Sequence, residues 1–258
     1  MMISKFLGEI MKTQIIYEPA GKAAEYSPLA ANLYAGCDHG CQYCYAPLAT
    51  RKKPEAFFQS KPREGVIRKL ADDISKMKGD TRNVLLCFTC DPYQQIDEKY
   101  KYTRKAIGMF NDNDINYTVL TKGGNRSRRD FDLLTERPDL STYATTLVFT
   151  DEQYRKTIET GTAAPTQERI ECLRDVHKLG IRTWVSLEPV YDPVQTMELV
   201  KQTHAFVDLF KVGKLNYQPE QHAIDWCKFG HDIVDLFESL GCNYYVKNDL
   251  KKCMEGNQ

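Results

Sequence analysis

The sequence lacks several features that would place it in a specialised class of protein. Lysine plus arginine and aspartate plus glutamate each number 35, so the formal charge is zero. No overall basic field indicates nucleic-acid binding, although a local basic patch is compatible with neutrality. No apolar run approaches the roughly 20 residues of a membrane span. The 15 glycines and 11 prolines are too few for a disordered chain, and no internal repeat or low-complexity tract is present.

A secretory signal peptide is also missing, and this bears on the cysteines. The opening "MMISKFLGEIMKTQ" has neither the continuous apolar stretch nor the small-residue cleavage site of such a peptide. We therefore expect a cytoplasmic protein with no membrane partner. The nine cysteines, an odd number, are then expected to be thiols available for metal binding or catalysis.

Short β-rich runs alternate along the chain with helical patterns. The runs that predict strands are 30–34, 83–89, 115–121, 142–150, 181–187, 206–213 and 242–247, and those that predict helices are 65–77, 165–180 and 232–241. This alternation predicts βαβ units and a parallel sheet, and 258 residues suit one domain. The predicted fold is α/β, a partial (β/α)6 TIM-type barrel with parallel strands; a doubly wound open sheet is the alternative.

Three cysteines stand within eight positions in the stretch "GCDHGCQYCYAP" (36–47). Cys37, Cys41 and Cys44 follow the first predicted strand, where a barrel places its active site. Thiolates are the soft ligands that iron–sulfur clusters need, and a cluster normally takes four, so three would leave one iron open to a substrate or cofactor. The alternatives are a zinc site completed by His39 or a remote residue, a fully ligated electron carrier or binding module, and a coincidental group.

The C-x3-C-x2-C spacing resembles that of the radical S-adenosylmethionine (radical SAM) superfamily. The longer run "EPAGKAAEYSPLAANLYAGCDHGCQYCYAP", with "TCDPYQQID", "TKGG" and "IETGTAAPTQER", is similar to the branch that contains spore photoproduct lyase. The resemblance covers roughly residues 17–217 and treats 218–258 as a C-terminal extension of a single domain, 1–258.

This resemblance implies an enzyme with a [4Fe–4S] cluster on Cys37, Cys41 and Cys44. The open iron would bind S-adenosylmethionine, and one electron would cleave it to a 5′-deoxyadenosyl radical that abstracts hydrogen from a substrate. DNA or a nucleotide is the substrate that the branch suggests, with a peptide or small metabolite as the alternative. The electron would come from an external flavodoxin- or ferredoxin-like donor.

The resemblance also implies cofactor contacts at three strand ends. Tyr43 would lie against the adenine, Asp91 would pair with the methionine ammonium, and Lys122 would meet the methionine carboxylate. Each has a plainer alternative. These are loop packing for the tyrosine, capping of the Asp–Pro turn for the aspartate, and solvation for the lysine.

Three further residues match positions near the cofactor in the resembled family. Thr146 would lie beside the cofactor, or serve only as a β-branched strand residue. Glu159 and Arg169 would contact the cofactor or form an ion pair with each other. Other polar residues at predicted strand ends could face the same pocket, namely Glu188, Lys211, Lys214 and Asn216.

Cys87 and Cys90 are candidate donors of a hydrogen atom to the product radical. In the lyase a cysteine near the second strand has this role, but its position falls on Phe88 here, which puts the lyase reaction in doubt. Buried structural thiols are the alternative. The late cysteines Cys227, Cys242 and Cys253 form no tight motif, so we expect ordinary thiols rather than an auxiliary cluster.

Two short basic runs follow strand ends. They are 126–129, with arginines at 126, 128 and 129, and 51–53. Such runs could frame a polyanionic substrate at the mouth of a pocket. A solvated surface is the more common role of a short charge run, and the aromatic residues expected of a single-strand binder are not interleaved with these.

Overall fold

The computed structural model describes residues 14–256. Residues 1–13, which make up nearly all of the opening segment that bears on the signal peptide, lie outside the described residues. Across residues 14–256, no helix has the length and apolar character needed to cross a membrane.

The strands within this range are mostly short. They are β1 (Ile16–Tyr17), β2 (Leu29–Ala31), β3 (Tyr34–Ala35), β4 (Lys61–Pro62), β5 (Val84–Leu86), β6 (Tyr117–Thr121), β7 (Ser141–Thr146), β8 (Arg182–Leu187), β9 (Leu209–Val212) and β10 (Tyr244–Val246).

The α-helices mostly connect successive strands. They are α1 (Ala46–Ala49), α2 (Pro54–Phe57), α3 (Val66–Ile74), α4 (Asp97–Tyr100), α5 (Tyr102–Asp112), α6 (Phe131–Glu136), α7 (Glu152–Ile158), α8 (Thr166–Lys178), α9 (Pro193–Thr203), α10 (Trp226–Ser239) and α11 (Asn248–Glu255). Short 3-10 turns cover Gly21–Glu25, Gly124–Asp130, His204–Phe206 and Pro219–Ala223.

The main sheet follows the chain without a reversal of direction. Its order is β1-β2-β5-β6-β7-β8-β9-β10, and every pair from β2 to β10 is parallel. β1 pairs antiparallel with β2 at one edge. A doubly wound sheet requires a point where the strand order reverses. The sequential order therefore confirms the partial barrel and excludes the doubly wound alternative.

The core lies on both faces of this sheet. Val84, Leu85 and Leu86 of β5 are all fully buried, as expected for a parallel strand covered by helices on one side and by the barrel interior on the other. Helix α8 buries the predicted stripe, in which Leu173 and Val176 are inaccessible. Each large apolar side chain so buried contributes about 1.5–3 kcal/mol before entropy is counted.

The structure also differs from the sequence prediction in detail. The late run 242–247 forms the predicted strand, β10, which extends the sheet beside β9, so the parallel series has one strand more than the six of the predicted (β/α)6 barrel. Helix α10 begins before the predicted 232–241 because Asp225 caps it, accepting from the amide of Lys228 at 2.9 Å. β1 and the antiparallel pair β3–β4 were not predicted.

Candidate active site

One cavity of about 410 Å³ collects the side chains that follow the carboxyl ends of the parallel strands. Its polar lining falls into two groups, and the residues of each group contact one another. We call the first the cysteine side; it comprises Cys37, His39, Cys41, Tyr43, Cys44, Asp91, Lys122 and Thr146. The second is the lysine side, which comprises Lys22, Tyr26, Ser186, Glu188, Lys214, Asn216 and Lys247.

Backbone hydrogen bonds hold the three-cysteine loop against the turn after α7. Cys41 and Glu159 form an isolated antiparallel bridge, and the amide of Gln42 donates to the carbonyl of Ile158 at 2.9 Å. The amide of Gly161 donates to the carbonyl of His39 at 3.0 Å. A Cβ at Gly161 would lie 2.2 Å from the carbonyl oxygen of Asp38, so only glycine permits this close approach.

The other flank of the loop is fixed by the residues that enter it. Gly36 has φ +93°, and a Cβ there would lie 2.3 Å from the carbonyl oxygen of Phe57. The amide of Asp38 donates to Oε1 of Gln94 at 3.1 Å, and its carboxylate accepts from the hydroxyl of Thr162. The loop is therefore held from both sides before any ligand binds.

The three thiols have the chemistry of a metal donor set. Cys41 is buried and its two partners are half-buried, and all three line the cavity. Burial raises the pKa of Cys41 to about 12 and also raises the pKa of Cys37 and Cys44. A thiol in such surroundings becomes a thiolate when a metal cation binds to the sulfur and displaces the proton. The donors present thus suit an iron–sulfur cluster.

The structure gives no support to zinc with His39 as a ligand. The buried ring has Nδ1 3.4 Å from Oδ2 of Asp91 and Nε2 3.3 Å from a terminal nitrogen of Arg126. Nε2 therefore faces the guanidinium, whereas Nδ1 lies beside the Asp91 carboxylate without forming a hydrogen bond. Within residues 14–256, no three His, Cys, Asp or Glu side chains converge as ligands of a single metal ion. A cuboid iron–sulfur cluster binds each cysteine at a different iron, so its ligands do not have to converge on a single metal ion.

Lys122 brings an ammonium group without a carboxylate partner to the cysteine side. It follows β6, and its Nζ lies 5.9 Å from the centre of the Tyr43 ring. Among the described residues no carboxylate oxygen lies within 4.0 Å of this Nζ. Burial opposes its charge, but the Cys41 sulfur and the more distant Glu159 and Asp91 raise its pKa. The group is therefore a cation available for an anionic ligand.

Asp91 joins the ends of two neighbouring strands. Its carboxylate accepts from the amide of Tyr93 at 2.8 Å, the hydroxyl of Thr121 at 2.6 Å and the amide of Lys122 at 2.7 Å. Burial would raise its pKa, but His39, the Lys122 charge and these hydrogen bonds lower it. Three protein donors already occupy this carboxylate, which favours the turn-capping alternative over a direct bond to the cofactor.

Glu159 and Arg169 form a buried ion pair behind the loop. Each is at most 2% exposed, and the guanidinium also donates to the carbonyl of Thr146 at 3.1 Å. Burial opposes the charge of Glu159, but Arg169 lowers its pKa to about 2. The hydroxyl of Tyr43 donates to Glu159, which fixes the ring on the cavity wall. Neither charged residue lines the cavity, so the ion-pair alternative describes them better than a cofactor contact.

Cys87 and Cys90 both line the cavity, together with Phe88. The thiols are 4% and 7% exposed. The side chain of Asn32 organises this turn, because its Oδ1 accepts from the amides of Phe88 at 2.8 Å and Thr89 at 2.7 Å. The two candidate hydrogen donors are therefore at the cavity wall, in a turn fixed by hydrogen bonds.

A triad that sequence reasoning missed organises the lysine side. Tyr26 donates to the carboxylate of Glu188, and its hydroxyl lies 3.2 Å from Oγ of Ser186. Lys247 lies 2.8 Å from the same carboxylate and 4.5 Å from the centre of the Tyr26 ring. The predicted pocket residues Glu188, Lys214 and Asn216 do line the cavity.

The segment that carries Tyr26 crosses from one edge of the sheet to the other. Lys22 reaches Asp249 on α11 at 2.9 Å, and Glu25 accepts from the amide of Asn248 at 2.8 Å. Lys211, predicted to face the pocket, is not among its lining residues. It donates instead to the carbonyl of Tyr26 at 2.8 Å and lies 4.6 Å from the centre of the Trp184 ring.

The arginine run 126–129 does not frame the cavity. Arg126 donates to the carbonyls of Tyr93 and Thr162 at 2.7 and 2.6 Å. Arg128 pairs with Asp175 at 2.8 Å, and Arg129 pairs with Asp97. These guanidinium groups are occupied by internal partners, which argues against the basic frame that was one of the two alternatives for this run. The second run, 51–53, is exposed.

Comparison of sequences gives a family. A family model described as the Radical SAM superfamily matches residues 31–207. An uncharacterised protein of Acidianus two-tailed virus is 25% identical over 186 residues, covering 67% of this chain and 59% of that protein. An uncharacterised protein of Mycobacterium bovis is 26% identical, with 62% of this chain and 48% of that protein aligned. An uncharacterised protein of Methanocaldococcus jannaschii is 24% identical, with 72% of this chain and 69% of that protein aligned. The chain spans about half to two thirds of the length of these relatives.

Comparison of structures gives the fold. A spore photoproduct lyase variant with bound AdoMet and dinucleoside spore photoproduct aligns with a TM-score of 0.67 at 13% identity, covering 89% of this chain and 78% of that chain. Streptococcus suis SuiB bound to precursor peptide SuiA aligns with a TM-score of 0.67 at 14% identity, covering 88% of this chain and 50% of that chain.

Proposed function

The chain belongs to the radical SAM superfamily, a superfamily of enzymes, and on that premise we propose that it cleaves S-adenosylmethionine reductively to begin hydrogen abstraction from a substrate. The observation that carries the proposal is the cysteine side of the cavity. There, three thiols on a loop fixed from both flanks share one cavity with Lys122, which has no carboxylate partner among residues 14–256.

Cys37, Cys41 and Cys44 would hold a [4Fe–4S] cluster by three of its irons. When bound, such a cluster supplies the electron that splits the sulfonium of S-adenosylmethionine and releases a 5′-deoxyadenosyl radical. The rigid loop would keep the three ligands in place, since Gly161 and Gly36 bring backbone against it on both flanks. Three protein ligands leave room for the cosubstrate at the fourth position.

The residues around the thiols would bind and orient the cosubstrate. Lys122 is the group suited to the carboxylate of the cosubstrate. An ammonium in a cavity is more stable when it is paired with an anion than when it has no partner. The fixed ring of Tyr43 offers a flat face to the adenine. Thr146, 7% exposed on the cavity wall, would contact the ribose or the methionine portion.

Cys90 or Cys87 would return a hydrogen atom to the product radical. Both thiols line the same cavity, and Asn32 fixes the turn that presents them. The S–H bond would break homolytically, giving its hydrogen to carbon and leaving a thiyl radical on the chain. An external flavodoxin- or ferredoxin-like protein would supply the first electron.

The substrate is proposed to be DNA or a nucleotide, with a peptide or small metabolite as the alternative. With the cysteine side given to the cluster and the cosubstrate, the lysine side of the same cavity is the part left for a substrate group. One structural neighbour is described with a dinucleoside and another with a precursor peptide, so both classes belong in the test.

The experiment is release of 5′-deoxyadenosine by anaerobically reconstituted, reduced protein. We expect slow release without substrate and about tenfold faster release with a member of a panel of damaged oligonucleotides, nucleotides and peptides. The class that accelerates release identifies the substrate. Iron-loaded, reduced protein that leaves S-adenosylmethionine intact under every condition would refute the proposed function.

A further inference from the structure

The lysine side of the cavity carries three ammonium groups, and two of them are neutralised within the protein. Lys247 lies 2.8 Å from an oxygen of Glu188, and Lys22 lies 2.9 Å from an oxygen of Asp249. Each pair brings a positive and a negative charge together, so neither leaves a free charge to attract a ligand.

Lys214 is the third, and it differs from the other two. Across the part of the chain that the structure describes, no carboxylate oxygen lies within 4.0 Å of its Nζ. The ammonium donates to Sγ of Cys253 at 3.1 Å and lies 5.2 Å from the centre of the Trp226 ring. Sulfur is a weak acceptor and a ring face gives only modest stabilisation to a cation.

The chain holds Lys214 in this position. The residue follows β9, and a Cβ on the preceding Gly213 would lie 2.8 Å from Oε1 of Glu188, so the backbone turns closely past the buried pair. The indole Nε1 of Trp226 donates to the carbonyl of Gln221 at 2.8 Å, which fixes the ring beside the lysine. The ammonium is thus oriented before a ligand arrives, and little entropy would be lost when one binds.

From this arrangement we propose that Lys214 binds an anionic oxygen group, phosphate or carboxylate, on the substrate. The inference rests on the proposed function, since it assigns the lysine side to the substrate and the cysteine side to the cosubstrate. Lys214 is half-buried and has no counter-ion in the described part of the chain, and such a cation is stabilised when an anion binds to it. Two exposed rings on the cavity lining, Tyr45 (40%) and Tyr217 (69%), offer contacts to a ring near that anion.

Matched pairs of probes that differ only in the anion test this assignment. The phosphate pair is thymidine 5′-monophosphate and thymidine, and the carboxylate pair is N-acetylphenylalanine and its amide. Calorimetric titration of the anaerobically reconstituted protein is done at fixed ionic strength with saturating S-adenosylmethionine, so that Lys122 is occupied. We expect the charged member of one pair to bind about ten- to a hundredfold more tightly than the neutral member.

Variants of Lys214 show whether this side chain causes the preference. Lys214→Met should abolish it, and Lys214→Arg should retain most of it. Lys201→Met, an exposed change on α9 away from the cavity lining, removes the same charge from the whole protein and should keep the preference intact. If Lys214→Met fails to give a folded circular-dichroism spectrum, Lys214→Gln replaces it.

Each outcome decides the inference. A preference within the phosphate pair or within the carboxylate pair that disappears on loss of the Lys214 charge supports it and identifies the anion. Equal affinities within both pairs, no saturable binding of either anion, or a preference that survives in Lys214→Met overturns it. Release of 5′-deoxyadenosine from the same wild-type preparation tests the proposed function separately.

Discussion

The two sides of the cavity differ in how the chain builds them. The cysteine side comes mainly from one continuous loop, 36–47, and from residues at or shortly after the carboxyl ends of β5, β6 and β7. The lysine side joins residues far apart in sequence. Tyr26 meets Glu188 across 162 positions, and Lys247 meets the same carboxylate across 59.

This difference suits two chemical tasks. A local loop with fixed cysteine spacing can hold one inorganic group in one geometry. A surface assembled from the segment before β2, the end of β8 and the segments after β9 and β10 can change at each element separately while the loop stays the same. We infer that the cysteine side determines the chemistry and the lysine side determines what the chemistry acts on.

The largest effect is expected from removing the cysteine side altogether. Replacing Cys37, Cys41 and Cys44 together with alanine should lower bound iron from about four per chain to near zero and abolish 5′-deoxyadenosine release. Iron analysis and chromatography of the products measure both. Cys242→Ala, a half-buried thiol outside the cavity lining, should keep both. A triple variant that retains its iron would contradict the assignment, and about eight irons in the wild type would indicate an auxiliary cluster.

The contrast between the two sides also explains what the sequence could predict. The parallel strands and the cysteine loop were predictable, because hydrophobic runs and ligand spacing are local patterns. Glu188 and Lys214 were found as polar residues at strand ends. Tyr26 and Lys247 were not, because their roles depend on partners brought close only by the fold.

Short elements were missed for a related reason. A two-residue strand such as β1 is too short to show an alternation of apolar and polar residues. β3 and β4 flank the segment that contains the cysteine loop, and they pair because that segment returns the chain to β3. Lys211 lies within β9, one residue before its end, and the segment 21–27 lies over it, so that its ammonium donates to the carbonyl oxygens of that segment. The partners of arginines 126, 128 and 129 likewise come from distant parts of the chain, so the local charge run alone does not predict them.

The second largest effect concerns the support behind the loop. Arg169→Met leaves the buried carboxylate of Glu159 without its main partner, and breaking such a pair costs about 3–5 kcal/mol. Urea unfolding should show that loss in the free energy of unfolding. Lys178→Met on the same helix removes an exposed pair with Asp175 and should change it by less than about 0.5 kcal/mol. Equal losses in the two variants would show that the pair is not a structural support.

A smaller effect should separate Lys122 from Lys214, the two cavity lysines that have no carboxylate partner among the described residues. Lys122→Met should weaken binding of S-adenosylmethionine about tenfold or more, because the cosubstrate carboxylate loses a charged hydrogen bond. Equilibrium dialysis of the iron-loaded protein measures this. Lys122→Arg should recover part of the affinity, and Lys201→Met should match the wild type. Unchanged affinity in Lys122→Met would remove this residue from the cosubstrate site.

The smallest effect is a dependence of stability on pH at Lys211. Burial, with help from Lys247, lowers its pKa to about 8. An unfolded lysine titrates near about 10.4, so between these values the unfolded chain binds more protons and this residue makes the folded state more stable as pH rises. Below pH 8 Lys211 is charged in the folded and in the unfolded chain, so the folded state bears the whole free-energy cost of burying that charge.

Comparison with Lys211→Met isolates that contribution. The free energy of unfolding of the wild type minus that of the variant should increase from pH 8 to pH 10, and it should be constant from pH 6 to pH 7. A difference that stays flat across the whole range would mean that this lysine titrates alike in the folded and unfolded chain.

The central claim is that three cysteines hold a four-iron cluster with one position left for S-adenosylmethionine. Its most direct test is the electron paramagnetic resonance spectrum of the reduced, anaerobically reconstituted protein before and after addition of S-adenosylmethionine. The account predicts a [4Fe–4S]⁺ signal that changes shape when the cosubstrate binds. A signal that S-adenosylmethionine leaves unchanged, or protein that carries zinc in place of iron, would contradict it.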